Sequence, residues 1–176
     1  MSNSNAIALL KADHRAVEEL FEKYEKSRGK KADIANQICM ELTIHTSIEE
    51  EIFYPACKGV VDDDLLDEAY VEHDGAKMMI AEIEAGSPDD EFFDAKVKVL
   101  SEEIKHHVKE EEQRDGIFAQ MRSSNVDLNT LGQEMQARKE QLKAEIEAGG
   151  LPMLVTRTMK GAKVQHSGSG LKAALS

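Results

Sequence analysis

The chain has 176 residues, with 34 acidic and 22 basic side chains and a formal net charge of −12. This length fits one ordinary domain with a tail, and the acidic balance argues against nucleic-acid partners, because binding the phosphate backbone needs a clustered basic face. No stretch is apolar enough for a membrane span, the N-terminus lacks a signal-peptide pattern, and two cysteines are too few for a disulfide framework, so we expect a cytoplasmic protein.

The first two predicted helices each carry an inward-facing histidine. Over residues 5–26, apolar residues and His14 recur at alternating steps of three and four, which is the pattern of one buried helix face. The second helix is predicted over 33–54, between a capping aspartate and Pro55, which is expected to end it. Its inward stripe contains both His45 and Glu49.

Two further helices repeat this arrangement. The third is predicted over 64–85 and has His73 on its apolar face. The sequence Gly86-Ser87-Pro88 then supplies a helix stop, an N-cap and a first-turn residue for the fourth helix. The stripe of that helix ends in His107 and Glu111, four residues apart like the pair in the second helix.

A fifth helix is predicted over 127–147, packed outside the bundle or against a partner. The segment 148–176 is basic and has little apolar periodicity, so we expect a flexible tail. The sequence thus predicts an all-α protein: a four-helix bundle over 5–122, an additional helix, and a tail. A protein partner could bind through the fifth helix or the tail.

The candidate ligands should meet at one depth in the bundle. Short connections make successive helices antiparallel, so that the chain runs up, down, up and down. Each histidine then lies about nine residues, or ~14 Å, from the same pole, and each glutamate lies one turn nearer to it. An unpaired buried carboxylate costs several kcal/mol, which a pair of cations would remove. The predicted ligands of a buried two-metal site are His14, His45, Glu49, His73, His107 and Glu111.

Other assignments compete with parts of this set. His106, with Glu110 four residues later, could replace His107, but it lies one residue off the apolar stripe. A ferritin-like carboxylate site needs two Glu-x-x-His motifs, whereas only Glu103 with His106 fits that spacing. The remaining acids of the clusters at 49–51 and 110–112 are expected to form a solvated face. Tyr70 is interpreted either as a hydrogen-bond donor to a ligand or as an ordinary core tyrosine.

The segments HTSIEEEIFYP and HHVKEEEQRDGIF, with ADH around His14 and VEHD around His73, resemble the hemerythrin-like HHE cation-binding family over about residues 5–122. The resemblance implies that the four histidines bind two non-haem irons through nitrogen. Glu49 and Glu111 would bridge the irons, together with an oxo or hydroxo group. Zinc or manganese would also suit such donors, because affinity alone does not select among divalent metals.

The resemblance also bounds the function. Oxygen-carrying hemerythrins have a further histidine where this chain has Lys77, so oxygen transport is not expected. Without that histidine we expect open coordination positions on the metals. We expect binding of dioxygen, nitric oxide or peroxide, or the sensing or buffering of iron. A peroxide-decomposing, catalase-like redox enzyme and a metal-stabilised interaction protein are the alternatives.

Overall fold

A computed structural model describes residues 5–149 and 154–161. Within these residues every regular element is helical: α1 (Ala6–Lys26), α2 (Lys31–Ile48), a π-turn (Glu49–Phe53), α3 (Tyr54–Cys57), α4 (Asp63–Glu84), α5 (Phe93–Glu112), α6 (Ile117–Arg122) and α7 (Leu128–Glu147). The four long helices close a ring in which α1 packs against α2 and α5, and α4 packs against α2 and α5. The predicted all-α four-helix bundle is confirmed. In the described part of the chain, no helix has the length and apolar character needed to cross a bilayer.

Three helices begin at side-chain caps. The side chains of Asn5, Asp62 and Asp127 accept hydrogen bonds from backbone N–H groups in the first turns of α1, α4 and α7. These bonds satisfy donors that have no partner within the helix. The predicted cap at Asp33 is wrong, because α2 already begins at Lys31 and Asp33 lies in its first turn.

The fourth bundle helix begins later than the sequence suggests. Gly86, Ser87 and Pro88 were expected to stop one helix and start the next, but α5 begins at Phe93. Asp90 is the physical reason. Its carboxylate accepts a bond of 2.7 Å from the Ser87 N–H, and its own N–H donates to the Ser87 carbonyl at 2.9 Å. The chain is therefore held in turns before the helix starts.

The second bundle helix does not end at Pro55. It widens into the π-turn, in which the Tyr54 N–H donates to the carbonyl of Glu49, five residues earlier. It then continues as α3, where Pro55 lies in the first turn and its missing N–H is tolerated. The insertion places Tyr54 one turn above Glu49 on the same side of the helix.

Two apolar clusters flank a polar layer. The first cluster contains the residues Leu10, Ile48, Phe53, Phe118, Met135 and Leu142, among others. The second cluster contains the residues Val17, Phe21, Ile38, Leu42, Ile80 and Leu100, among others. The polar layer lies between them, because His14 stands between Leu10 and Val17 along α1. Helix α7 packs on α1, α2 and the π-turn, and its apolar side chains join the first cluster.

Part of the predicted flexible tail is docked on the bundle. Leu154 is buried in the second cluster, and backbone N–H groups of Arg157 and Thr158 donate to Asp74 of α4. The expectation of a flexible tail over 148–176 is therefore not met by residues 154–161. Residues 150–153 and 162–176 lie outside the described part of the chain.

Candidate metal centre

Four buried imidazoles form two pairs. The first pair is His14 and His45, whose ring centroids are 4.9 Å apart. The second pair is His73 and His107, whose centroids are 4.8 Å apart and whose Nε2 atoms are separated by 3.2 Å. The structure thus brings together one histidine from each long helix, at the depth that helix periodicity indicates.

Two buried glutamates join the pairs. Glu49 Oε2 lies 3.1 Å from Nε2 of His45 and 3.2 Å from Nε2 of His73. Glu111 Oε2 lies 3.4 Å from Nε2 of His14 and 3.7 Å from Nε2 of His107. Each carboxylate therefore contacts one imidazole of each pair. All six side chains singled out from the sequence meet at this layer.

The donor atoms at the centre fit a pair of cations. Both carboxylate oxygens of Glu49, Oε2 of Glu111 and Nε2 of His14 are buried and, within the described residues, have no hydrogen-bond partner. A buried carboxylate without a partner is costly, and a cation removes that cost. Ligand atoms of His14, His45 and Glu49 lie within 4.8 Å of one another, as do those of Glu49 with the second pair. Nitrogen and oxygen donors of this kind suit iron, zinc or manganese.

Each imidazole of the first pair faces a further carboxylate with its other ring nitrogen. Glu112 Oε1 is 2.8 Å from Nδ1 of His14, and Asp13 Oδ2 is 3.7 Å from Nδ1 of His45. Because an ionised carboxylate can only accept, the Nδ1 of His14 carries hydrogen, whereas the contact of His45 with Asp13 has the length of an ion pair and not of a hydrogen bond. The lone pair of a neutral ring is then on Nε2, which faces the centre.

The second pair repeats this arrangement. Glu50 Oε1 is 3.1 Å from Nδ1 of His73, and Glu72 Oε2 is 2.6 Å from Nδ1 of His107. We call these four carboxylates the outer acids: Asp13, Glu50, Glu72 and Glu112. Carboxylates commonly occupy this place behind metal-bound histidines, where they fix the orientation of the ring.

The outer acids follow one rule around the bundle. Each is the sequence neighbour of an inner ligand, yet each contacts the histidine of an adjacent helix: α1 to α2, the π-turn to α4, α4 to α5, and α5 back to α1. Sequence reasoning missed all four. The expected solvated face is wrong for Glu50, which is 5% exposed, and for the partly buried Glu112. The signal in the sequence was an acidic residue directly beside a central ligand, in the segments ADH, VEHD and the two EEE clusters.

The carboxylates favour positive charge at the centre. The hydrogen bond from His14 lowers the pKa of Glu112 to about 2. Burial alone would lower the pKa of His45, but the charges of Glu49 and Asp13 outweigh burial and raise this pKa to about 10. Burial raises the pKa of Glu49, yet the adjacent imidazoles bring it well below its ordinary value. The same potential that favours protonated imidazoles favours bound cations.

Tyr54 is a second feature that sequence reasoning missed. Its buried hydroxyl donates to Glu111 Oε1 at 3.0 Å and lies 3.1 Å from His73 Nε2 and 3.4 Å from His107 Nε2. The π-turn puts it there, because a regular α-helix would rotate the residue five places after Glu49 away from the centre. Tyr54, and not Tyr70, provides the hydroxyl that bonds a central residue. Tyr70 packs against the ring of Tyr54 at a centroid distance of 5.1 Å.

Two positions weighed from the sequence lie away from the centre. The Lys77 side chain is buried and pairs with Glu50 at 2.6 Å and with Asp74 at 3.3 Å. The His106 side chain is 60% exposed and lies 3.1 Å from Glu110. With Glu72 these two residues form a partly exposed group of potential ligand atoms, separate from the buried layer.

A cavity of about 260 Å³ between α1 and α5 reaches the first pair. His14, Phe21 and Ile104 line it, and the basic side chains of Arg15 and Lys105 stand beside them. The cavity offers small molecules an approach to one edge of the site.

The sequence model of the Hemerythrin HHE cation binding domain matches residues 5–116. The chain belongs to this family. All six central ligand candidates and all four outer acids of this hemerythrin-like, cation-binding protein fall within the match, whereas α7 and residues 154–161 lie beyond it. The predicted family membership is confirmed.

Two relatives can be named. The crystal structure of a hemerythrin HHE cation-binding domain-containing protein from Mycobacterium kansasii superposes with a TM-score of 0.67 and 26% identity, covering 78% of this chain and 86% of that one. A protein of Nostoc sp. named DNA nickase is 30% identical over 118 residues, which are 66% of this hemerythrin-like chain and 33% of that protein. The chain thus spans about a third of the length of this curated relative.

Proposed function

We propose that this hemerythrin-like protein holds two iron ions and binds a small molecule at them. The first pair would hold one ion and the second pair the other, with Glu49 and Glu111 shared between them. The observation that supports this most is the pattern of Nε2 contacts, in which each carboxylate reaches one imidazole of each pair at 3.1 to 3.7 Å. The choice of iron rests on the family, since the same donors would accept zinc or manganese.

Bound iron with open coordination positions would supply a place for dioxygen, nitric oxide, peroxide or azide to bind and be polarised. The chain's own residues do the rest. The outer acids orient the imidazoles, the two apolar clusters keep bulk water out, and Tyr54 provides a hydroxyl that can donate to a guest beside the second pair. Reversible binding needs no further group.

A peroxide-decomposing activity is the second candidate, and Tyr54 is the observation that favours it. Its hydroxyl lies within 3.0 Å of Glu111 and 3.1 Å of His73, so a proton can pass between phenol and carboxylate within the buried site. The binding function requires no such transfer. Oxygen release from excess peroxide would separate the two candidates, provided that replacement of a central histidine abolishes the release.

The test is the metal content of protein purified without added metal, measured with its optical spectrum before and after azide. We expect two irons per chain and an azide-dependent band in the wild type. His107→Ala, which removes a ligand of the second pair, should lose the iron of that pair and with it the band. His106→Ala is the matched control, because this adjacent histidine is exposed and bonds Glu110 instead. A wild type without metal, or a His106→Ala variant as depleted as His107→Ala, contradicts the proposal.

For partners we propose a small molecule rather than nucleic acid. The Nostoc relative's name introduces DNA as a possibility, but the net charge of −12 disfavours the phosphate backbone. Retention of the protein by duplex DNA at physiological salt would contradict this. We propose the cytoplasm as the compartment, in keeping with the two free thiols, Cys39 and Cys57, that are buried in the bundle.

A further inference from the structure

Residues 154–161 are anchored on one buried carboxylate. Asp74 is fully buried, and its Oδ2 accepts from the backbone N–H groups of Arg157, Thr158 and Met159 at 2.9, 2.6 and 3.2 Å. The Thr158 hydroxyl donates to the same oxygen at 2.7 Å. Successive N–H groups around one anion make a defined cradle. The contact therefore fixes both the position and the register of the segment.

The same segment bonds an outer acid. Arg157 Nε donates to Glu50 Oε2 at 2.6 Å, while Lys77 Nζ lies 2.6 Å from Glu50 Oε1. Lys77 also donates to the backbone carbonyl of Val155 at 3.0 Å. The two oxygens of Glu50 are thus held from two sides, one by α4 and the other by the C-terminal segment.

The other contact of Glu50 is with the metal centre. Its Oε1 faces Nδ1 of His73 at 3.1 Å, so contacts run without a gap from Arg157 through Glu50 to an imidazole of the second pair. We propose that residues 154–161 form a strap, and that Arg157 of this strap positions Glu50 and, through it, His73 for metal binding. This inference rests on the proposed function. Arg157 and Glu50 are positioning residues, since neither reaches the central ligand atoms.

Arg157 matters because, without it, the Glu50 carboxylate could turn towards water instead of His73. If Arg157 is removed, Oε2 loses its only charged partner among the described contacts, and hydration of this oxygen would draw the carboxylate outward. Lys77 and His73 share the remaining oxygen. The imidazole would then lose part of the support that fixes its ring and keeps hydrogen on Nδ1.

The π-turn provides a matched control. Arg138 of α7 donates to both oxygens of the next glutamate, Glu51, at 2.6 and 3.2 Å. Within residues 5–149 and 154–161, Glu51 contacts no imidazole. Arg157→Ala and Arg138→Ala therefore each remove one arginine–glutamate pair from the same turn. The two changes differ in whether the glutamate supports a histidine.

The experiment follows iron release to a chelator from the full-length, iron-loaded chain. We expect Arg157→Ala to release one of the two ions about tenfold faster than the wild type, the lower end of the effect of losing support behind a metal ligand. Arg138→Ala should match the wild type, and Arg157→Lys should recover most of the loss. Equal release from Arg157→Ala and wild type overturns the strap, as does equal acceleration in Arg138→Ala.

A second readout uses the reciprocity of coupled sites. If the strap favours the metal-bound centre, metal must favour the docked strap by the same factor. Amide exchange at Thr158 and Met159 should therefore slow when iron is bound, and unchanged exchange contradicts the proposal. Failure of the proposed function and failure of the strap can be told apart. A wild type that holds no metal overturns both, whereas a loaded wild type insensitive to Arg157 overturns the strap alone.

Discussion

The two imidazole pairs have matching ligands and different surroundings. Both touch Glu49 and Glu111, and every ring faces an outer acid. Beside the first pair, however, the Phe118 ring stacks on His14 at a centroid distance of 5.7 Å. Beside the second pair, the Tyr54 hydroxyl lies 3.1 Å from a ring nitrogen. One half of the centre is bordered by an apolar ring and the other by a hydrogen-bond donor.

This difference separates access from proton donation. The cavity between α1 and α5 reaches His14, so a small molecule that enters there meets the first pair. The only phenol hydroxyl in contact with a central ligand, among the described residues, belongs to Tyr54 at the second pair. If each pair holds an ion, as proposed, the two positions would be chemically unlike despite a nearly symmetric set of ligands, because the neighbours of the set are not symmetric.

The largest expected effect comes from removing a residue common to both pairs. Glu49→Ala deletes a carboxylate that contacts one imidazole of each, so both ions should be lost and iron content should fall close to zero. Glu51→Ala, in the same π-turn and partly exposed, is the control and should keep its iron. Elemental analysis of both variants decides. Full occupancy in Glu49→Ala would mean that the pairs bind metal independently of this carboxylate.

The next largest effect should separate the pairs. Asp13 lies 3.7 Å from Nδ1 of His45 in the first pair, as an ionic neighbour, and Glu72 is hydrogen-bonded to His107 in the second pair. We expect Asp13→Asn and Glu72→Gln each to lower the binding affinity for one ion by about 10- to 100-fold and to leave the affinity for the other ion near its wild-type value. Release to a chelator should then show a fast and a slow phase of equal size. A single fast phase in either variant would show that the two positions are not distinct.

Helix periodicity was enough to find the six central residues. They lie on stripes spaced by three and four, and counting from the chain reversals places them at one depth. The outer acids escape this reasoning because a sequence neighbour is rotated by about 100° around the helix and leaves the stripe. Whether Glu50 or Glu72 then meets water or the next helix depends on the handedness and order of the bundle. One sequence does not fix that.

The π-turn and the strap were hidden for other reasons. The i to i+5 spacing of Glu49 and Tyr54 has meaning only after one widened turn, and Pro55 suggested a helix end instead of a continuation. The strap has too few apolar residues for a periodic signal. It docks through backbone N–H groups of residues 157–159, whose contacts with Asp74 do not depend on which side chains they carry.

A smaller effect is expected from Tyr54→Phe, which acts on the contrast between the pairs directly. The ring and its packing against Phe53 and Tyr70 remain, but Glu111 Oε1 loses its donor at 3.0 Å. Metal-free protein should lose about 1–3 kcal/mol of unfolding free energy, the cost of a buried acceptor left unpaired. Iron content should stay at two per chain while the spectrum changes. An unchanged spectrum would place the hydroxyl outside the influence of the second ion.

The smallest effect belongs to a pair far from the centre, and it tests whether the contrast is local. Hydrogen bonds from Lys31 and then from Tyr24 hold the pKa of Asp94 below its ordinary value of 3.8. A lowered carboxyl pKa contributes stability above the unfolded value and loses it as pH falls through the folded one. Because Asp94 is exposed, Asp94→Asn should cost a few tenths of a kcal/mol at pH 7, and this cost should shrink as pH falls below 3.8, by denaturant unfolding of metal-free protein. Iron release from both pairs should not change. A faster release from one pair would trace the contrast to bundle stability and not to the surroundings of each pair.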